Sequence, residues 1–314
     1  MLEVIPLTSG QVQVPLPGGG LIGITPDGTP GFGRSVELRG SGIFIGTALL
    51  DQIVVVDDGE KTIFSLDDGD NFYISGSGVT AFGNAGEDNF TGGDGDDTFY
   101  GGAGFDRAEG GNGNDLIFGE LEGERLDGQA GSDTLFGGMG ADVVRDRGGV
   151  EGDENLLYGG QGDDRVESEN GNDRLWGDLG DDNLTAGTGS DTLTGGSGFD
   201  ILTGNDFFGF SPDQAQDLFA LEITGQFDLI TDFEDGVDRL ILPAGVLFED
   251  LVIAQVGEDA AALDALGSRW FNEPTDIVIR LANSGEVLSV LNGNGTGLTV
   301  DSISVEDFID SSFQ

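Results

Sequence analysis

Apolar and polar positions in the middle of the chain repeat every nine residues. From Gly83 to Thr203 the sequence divides into thirteen nine-residue units, seven before and six after four extra residues at 146–149. The eighth position of every unit is apolar, from Phe90 to Leu202. Because successive side chains of a strand point to opposite faces, each unit predicts a glycine-rich turn and then a short strand whose eighth side chain points into a core.

The ninth position shows that the true period is eighteen residues. It alternates between a mostly charged or threonine set and an aromatic set, and the aromatic set consists of Tyr100, Phe118, Phe136, Tyr158 and Trp176. Two units therefore complete one coil, which has one aromatic and one charged outer face. An exposed apolar face usually marks a contact, and three partners are open here: another segment of this chain, a second copy, or a glycan or cell surface.

The sixth position is acidic in most units. Aspartate occupies it in eleven of the thirteen, namely Asp88, Asp97, Asp106, Asp115, Asp133, Asp142, Asp164, Asp173, Asp182, Asp191 and Asp200. The exceptions are Glu124 and Asn155. Turn glycines leave backbone carbonyls unshielded, and a carboxylate beside them completes an all-oxygen site. Such a site suits Ca²⁺ better than Mg²⁺, which requires a tighter octahedron and retains its waters.

The composition agrees with a cation-binding protein and excludes several other classes. The 314 residues carry a formal net charge of −47, with no cysteine and no histidine. Disulfide frameworks, Cys/His zinc sites and histidine-dependent catalytic triads are thereby excluded. Nucleic acid is not an expected partner, because phosphate contacts need clustered Lys and Arg. No apolar run reaches the roughly 18 residues of a transmembrane segment.

The stacked carboxylates predict that calcium controls folding. Aspartates one coil apart lie about 4.8 Å from each other, and at an effective dielectric near 20 each pair repels by a few kcal/mol. Summed over two columns, that repulsion exceeds the typical stability of about 5–15 kcal/mol of a domain. We therefore expect several Ca²⁺ ions to be bound and the binding free energy to be folding free energy.

The units resemble the RTX, or haemolysin-type, calcium-binding nonapeptide G-G-x-G-x-D-x-U-x. The resemblance implies an all-β fold, a right-handed parallel β-roll with two units per coil. It also implies that calcium lies between aspartates eighteen residues apart, in the pairs Asp88/Asp106, Asp97/Asp115, Asp115/Asp133, Asp164/Asp182, Asp173/Asp191 and Asp182/Asp200. Glycine carbonyls complete the shells by this resemblance, at Gly93, Gly95, Gly102, Gly104, Gly111, Gly113, Gly138, Gly140, Gly160, Gly162, Gly196 and Gly198. Sites at Glu124 or Asn155 are expected to be weak or absent.

The two flanks predict caps on the repeat block of residues 83–203. Residues 1–82 are interpreted as a β-rich cap with degenerate coils, or alternatively as an independent small β domain. Residues 204–314 are interpreted as a second β-rich cap that carries a C-terminal type I secretion signal. The segment from Asp228 resembles the stretch that closes RTX rolls, which implies a last ion at Asp232 and Asp238. The alternative is an acidic turn between two strands.

The function expected from these features is that of a secreted, non-enzymatic calcium-binding protein. RTX relatives are typically exported by type I secretion, and the first residues show no cleavable signal peptide. The expected place is outside the cell, as a surface, matrix or adhesion component. Two alternatives stay open: a glycan- or surface-binding module that uses the aromatic face, and a polysaccharide-acting enzyme with a catalytic flank.

Overall fold

The chain folds into two compact units, Met1–Gly149 and Val150–Gln314, in a computed structural model. The structure describes the backbone of short strands in residues 1–55, followed by residues 60–65, 68–76, 78–148, 152–205, 215–256, 276–292 and 298–310. Side chains are described from residue 52 onward.

The N-terminal unit consists of strands. They are β1 (Ile5–Pro6), β2 (Val12–Pro15), β3 (Leu21–Ile24), β4 (Arg34–Leu38), β5 (Gly42–Ile45), β6 (Asp51–Val55), β7 (Lys61–Phe64), β8 (Asn71–Ile74), β9 (Val79–Ala85), β10 (Asn89–Thr91), β11 (Thr98–Ala103), β12 (Arg107–Asn112), β13 (Leu116–Leu121), β14 (Arg125–Ala130), β15 (Thr134–Met139) and β16 (Val143–Arg145). Strands β1 to β3 form an antiparallel sheet.

Two parallel ladders build the rest of this unit. Even-numbered strands from β4 to β16 form one ladder, and odd-numbered strands from β5 to β15 form the other. Each strand pairs with the second strand along the chain, so Phe90 lies between Phe72 and Ala108. The register of eighteen residues between Phe90 and Ala108 confirms two nonapeptide units per coil.

The C-terminal unit continues the same design. Its strands are β17 (Leu156–Gln161), β18 (Arg165–Glu167), β19 (Arg174–Leu179), β20 (Asn183–Thr185), β21 (Thr192–Ser197), β22 (Ile201–Thr203), β23 (Leu218–Ala220), β24 (Asp228–Ile230), β25 (Arg239–Leu242), β26 (Leu251–Gln255), β27 (Ile277–Leu281), β28 (Val287–Leu291) and β29 (Phe308–Asp310). Two short 3₁₀ helices span Phe248–Asp250 and Val305–Asp307, and the described residues contain no α-helix.

Parallel pairing in this unit persists beyond the nonapeptide units. One ladder runs β17, β19, β21, β23, β25 and β29, and the other runs β18, β20, β22, β24 and β28. Strands β27 and β26 then extend the second ladder in antiparallel pairing. The predicted all-β parallel solenoid is confirmed, whereas the domain limits at residues 82 and 203 stay predictions.

The core lies between the two ladders of each unit. The eighth-position side chains from Phe90 to Leu202 are at most 1% exposed, as the alternation predicts. In the N-terminal unit, Phe99 stacks on Phe90 at 4.9 Å between ring centroids and meets the edge of Phe72 at 6.0 Å. Such packing fixes the strand faces, because a one-residue slip would expose this apolar set. The sixth positions are thereby held at the turns.

Candidate metal centre

The sixth-position side chains stack in columns at the turns, which we call the aspartate columns. In the N-terminal unit, the Asp70 amide donates to Oδ1 of Asp88 at 2.7 Å, and the Asp88 amide donates to Oδ1 of Asp106 at 2.8 Å. In the other column, the Asp97 amide donates to Oδ1 of Asp115 at 2.8 Å. The Asp115 amide continues that column to Asp133, and the Glu124 amide donates to Asp142 in the first column.

The C-terminal unit repeats this arrangement. The amide of Asp164 donates to Oδ1 of Asp182 at 2.7 Å, and the amide of Asp182 donates to Oδ1 of Asp200 at 2.8 Å. In its second column, the Asp173 amide donates to Oδ1 of Asp191 at 2.7 Å. The structure thus brings together the aspartate pairs that the sequence predicts, one coil apart.

The second oxygen of these carboxylates distinguishes a metal site from a structural turn. Oδ2 of Asp88, Asp106, Asp115 and Asp182 is buried and has no hydrogen-bond partner. A buried carboxylate oxygen without a donor is costly unless a counter-charge reaches it. A bound cation at each turn would satisfy these oxygens.

Backbone carbonyls lie next to these oxygens. A Cβ added to Gly101, the first residue of its unit, would collide with both Oδ2 of Asp106 and the carbonyl oxygen of Gly119 one coil away. Carboxylate and carbonyl oxygens therefore border the same space, and any side chain would fill it. No three acidic side chains of the described residues already form a metal cluster, so carbonyls have to supply part of a metal's shell.

The turn glycines adopt left-handed backbone. Gly102 and Gly104 have φ of 109° and 128°, a region that costs glycine little. The same region is occupied by the predicted ligand glycines Gly95, Gly111, Gly113, Gly138, Gly140, Gly160, Gly162, Gly196 and Gly198. Gly93 instead donates its amide to Oδ2 of Asp97 at 3.3 Å.

Burial makes the charged form of these carboxylates unfavourable. It raises the pKa of Asp88, Asp106 and Asp115 to about 7 and that of Asp182 to about 8. Backbone amides lower these pKa values, and neighbouring carboxylates in the same column raise them. An ion between two carboxylates would stabilise the ionised form. The donor set of hard oxygens fits Ca²⁺ rather than a metal that requires nitrogen or sulfur ligands.

Glu124 departs from the column geometry. It is 1% exposed, and neither carboxylate oxygen accepts a hydrogen bond. Burial, followed by the adjacent Asp142 carboxyl, raises the pKa of Glu124 to about 10. Its own turn still adopts the repeat conformation, since Glu120 and Glu122 have φ of 84° and 70°. The expectation of a weak or absent site at this turn stays a prediction.

The repeat matches a known protein family. A family model described as the RTX calcium-binding nonapeptide repeat matches residues 80–108, 100–122, 118–145, 151–184 and 185–206. Several copies of the RTX calcium-binding nonapeptide repeat are thus found across residues 80–206. The column aspartates from Asp88 to Asp200 lie at the turns of these repeats, as the resemblance in the sequence implies.

The chain was also compared with solved structures and curated proteins. It is similar to the solution structure of the AlgE6R3 subunit from the Azotobacter vinelandii mannuronan C5-epimerase, with 19% identity and a TM-score of 0.23 over 62% of this chain and 81% of that chain. No curated protein matches. Among the described residues, no helix is long and apolar enough to span a membrane.

Aspartates beyond the RTX match join the same columns. The Asp191 amide donates to Oδ1 of Asp217, and the Asp217 amide donates to Oδ1 of Asp238, both at 3.0 Å. Asp238, which the resemblance implies as a ligand of a last ion, thus lies in a column, and its role as a ligand stays a prediction. Asp217 and Asp228, to whose Oδ1 the Asp200 amide donates at 3.4 Å, were missed because inserted residues break the nine-residue spacing. Asp232 lies outside the columns, where it accepts amide hydrogen bonds from Gly204 and Asn205.

The aromatic ninth positions of the RTX coils form stacks. In the N-terminal unit Phe64, Phe82, Tyr100, Phe118 and Phe136 follow one another at 4.6 to 4.9 Å between ring centroids, with interplanar angles of 3° to 6°. Phe64 and Phe82 extend the predicted series, and their eighteen-residue spacing was the available signal. Interior rings of this stack cover one another's faces, so they present edges outward.

A shorter stack lies in the C-terminal unit. Tyr158 and Trp176 are 4.4 Å apart between ring centroids and are inclined by 4°. They are half-buried, like the rings of the other unit. Stacked rings of this kind contribute about 0.5–1.5 kcal/mol per pair beyond their burial. The stacks therefore stabilise the coils themselves.

Proposed function

We propose that this protein is a secreted, non-enzymatic calcium-binding β-roll that folds when it binds Ca²⁺ outside the cell. The RTX repeats supply the calcium-binding turns. The observation that carries the proposal is the buried Oδ2 oxygen that recurs without a hydrogen-bond donor at Asp88, Asp106, Asp115 and Asp182. A protein built to fold without metal would be expected to supply donors there.

Type I export and an extracellular location are the parts of the proposal that come from the family. RTX repeats typically belong to secreted proteins, and extracellular calcium modules have dissociation constants of about 10⁻⁴–10⁻³ M. At the far lower calcium level of a cytoplasm the columns would stay unbound and the repeats unfolded. Folding would then follow export, which matches a transporter that passes unfolded chains.

The test is a calcium titration of the chelated chain at neutral pH, followed by circular dichroism and calorimetry. We expect a transition from disordered chain to β-structure and the uptake of several ions per chain. Magnesium at the same concentrations serves as the control and is expected to have little effect, because its small octahedral shell does not match these turns. Full β-structure in chelator at neutral pH would contradict the proposal.

Absence of enzymatic activity is a separate part of the proposal with its own test. The calcium-loaded chain is expected to leave polysaccharides unchanged, with release of reducing ends and change in polymer length as the readouts. Turnover that one carboxylate substitution in residues 1–82 or 204–314 abolishes would favour the alternative of a catalytic flank. The calcium-binding part of the proposal would be unaffected.

A further inference from the structure

The two carboxylate columns of the C-terminal unit differ at the first position of their nine-residue units. The Asp182 column consists of Asp164, Asp182 and Asp200. The Asp173 column consists of Asn155, Asp173 and Asp191. The units of the Asp182 column begin with Gly159, Gly177 and Gly195. Those of Asp173 and Asp191 begin with Ser168 and Ala186, which place side chains where the other column has none.

The glycines of the Asp182 column leave space beside the carboxylates. A Cβ added to Gly177 would collide with Oδ2 of Asp182 and with the carbonyl oxygen of Gly195 one coil away. Oδ2 of Asp182 is buried and has no hydrogen-bond partner. An open space and an unsatisfied carboxylate oxygen therefore occur together at this turn, as a site for a hard cation requires.

Ser168 fills the equivalent place beside Asp173. Its side chain is buried, and its Oγ donates a hydrogen bond to Oδ2 of Asp173. The Asn155 amide donates to Oδ1 of Asp173 at 2.8 Å, and the Asn155 side chain forms a further hydrogen bond with this carboxylate. Burial raises the pKa of Asp173, whereas these hydrogen bonds lower it. Donors from the protein thus stabilise the ionised form of Asp173, as a counter-ion would.

The neighbouring coils also weaken the need for a cation in the Asp173 column. Asn155 is uncharged, so Asp173 has a column carboxylate on one side only, that of Asp191. The repulsion that a cation would offset is correspondingly smaller than at Asp182, which lies between two aspartates. Ala186 is fully buried at the first position of the next coil.

We propose that the Ser168 hydroxyl takes the place of the cation at the Asp173 turn, so that the Asp173/Asp191 pair binds no Ca²⁺. The inference rests on the proposed calcium-binding function and departs from the calcium site that the resemblance implies at this pair. A hydrogen bond to a charged group stabilises a buried carboxylate oxygen without metal. This turn is then held by protein hydrogen bonds at any calcium concentration, whereas the turn at Asp182 requires the ion.

The experiment counts the calcium ions bound to full-length variants by native mass spectrometry at saturating calcium. Ser168→Gly introduces the consensus glycine and removes the hydroxyl donor, so we expect it to bind one ion more than the wild type. Ser197→Gly is the matched control, since Ser197 is exposed at the third position of its unit. It should bind the same number of ions as the wild type.

A second pair of variants tests the two columns directly. Asp173→Asn is expected to keep the wild-type number of ions, because its carboxylate is satisfied by protein donors. Asp182→Asn is expected to lose at least one ion under the same conditions. Loss of an ion in both variants would overturn the inference.

The outcomes separate this inference from the general function. If the wild type binds calcium but Ser168→Gly gains no ion, or Ser197→Gly gains one as well, the inference is wrong and the proposed function stands. If the wild type binds no calcium, the proposed function itself is wrong. Should Asp173→Asn fail to fold, the ion count of Ser168→Gly decides alone.

Discussion

The eighth-position stack and the aspartate columns run through the same coils, yet they are satisfied in opposite ways. Phe99 is 0% exposed and is packed by Phe72 and Phe90. Asp106 is also 0% exposed, but its Oδ2 has no donor. Apolar burial stabilises the coil under all ionic conditions, whereas carboxylate burial opposes it until a cation is bound. The eighth-position stack is therefore a constitutive layer, which stabilises the coil with or without calcium. The aspartate columns are a conditional layer, which does so only when a cation is bound.

The largest expected difference between the layers is in their pH dependence without calcium. Burial raises the pKa of Asp88, Asp106 and Asp115 to about 7 from 3.8. The folded chain thus binds more protons than the unfolded chain between about pH 4 and 7, so its stability falls as pH rises through that window. Metal-free protein is therefore expected to contain more β-structure at pH 5 than at pH 8, where the chain is expected to be disordered.

Calcium should reverse that trend, because the ion requires the deprotonated carboxylates. The gain in β-structure on adding saturating calcium is therefore expected to be larger at pH 8 than at pH 5. Circular dichroism of metal-free and calcium-loaded protein at the two pH values checks both statements. A β-structure content of the metal-free protein that rises from pH 5 to pH 8 would show that the columns are not buried as carboxylates.

Truncation in the constitutive layer is the next largest effect. Phe99→Ala removes a ring that is packed by two other rings, and large-to-small core changes of this kind cost about 3–5 kcal/mol. The loss should appear as a lower urea midpoint in saturating calcium, with the number of bound ions unchanged. Thr98→Ala, on the outward side of the same strand, is the control and should leave the midpoint nearly unchanged.

Substitution in the conditional layer should act through calcium alone. Asp115→Asn removes one carboxylate from two neighbouring pairs, with Asp97 and with Asp133, so about two ions should be lost or weakened. Asp96→Asn is the matched control, because exposed Asp96 accepts the Asn114 amide at 2.8 Å outside the column. Calorimetric ion counts check this prediction, and equal loss in both variants would contradict the column assignment.

The smallest effect concerns the outer aromatic stack. Phe118→Leu keeps an apolar side chain but removes two stacking contacts, with Tyr100 and Phe136, so a loss of about 1–2 kcal/mol is expected. Calcium uptake should be unchanged, and the urea midpoint in saturating calcium is the measurement. Leu116→Thr, on the outward side of the same strand, is the comparison. It tests whether any more polar side chain on the outer face lowers the urea midpoint as much as the loss of stacking does. No change in Phe118→Leu would mean that the stack does not stabilise the coils.

The repeat region was largely predictable because its information is local. Most units from Gly83 to Thr203 specify the same turn and the same short strand, so period, core positions and column aspartates follow from spacing alone. The eighteen-residue alternation of Tyr100, Phe118 and Phe136 even indicated two units per coil. The sequence did not reveal which oxygen of each carboxylate accepts a backbone amide hydrogen bond, because the donor lies in the neighbouring coil.

The amino-acid sequence by itself determined the coil: its period, its apolar interior and the acid at most turns, since each is written within nine residues and repeated. Only the tertiary structure decided that Asp217 and Asp228 continue the columns, because insertions hide their spacing while strand pairing restores their register. It likewise decided that the aromatic rings face one another, since a coil advances by one strand spacing and that distance is also the stacking distance of flat rings.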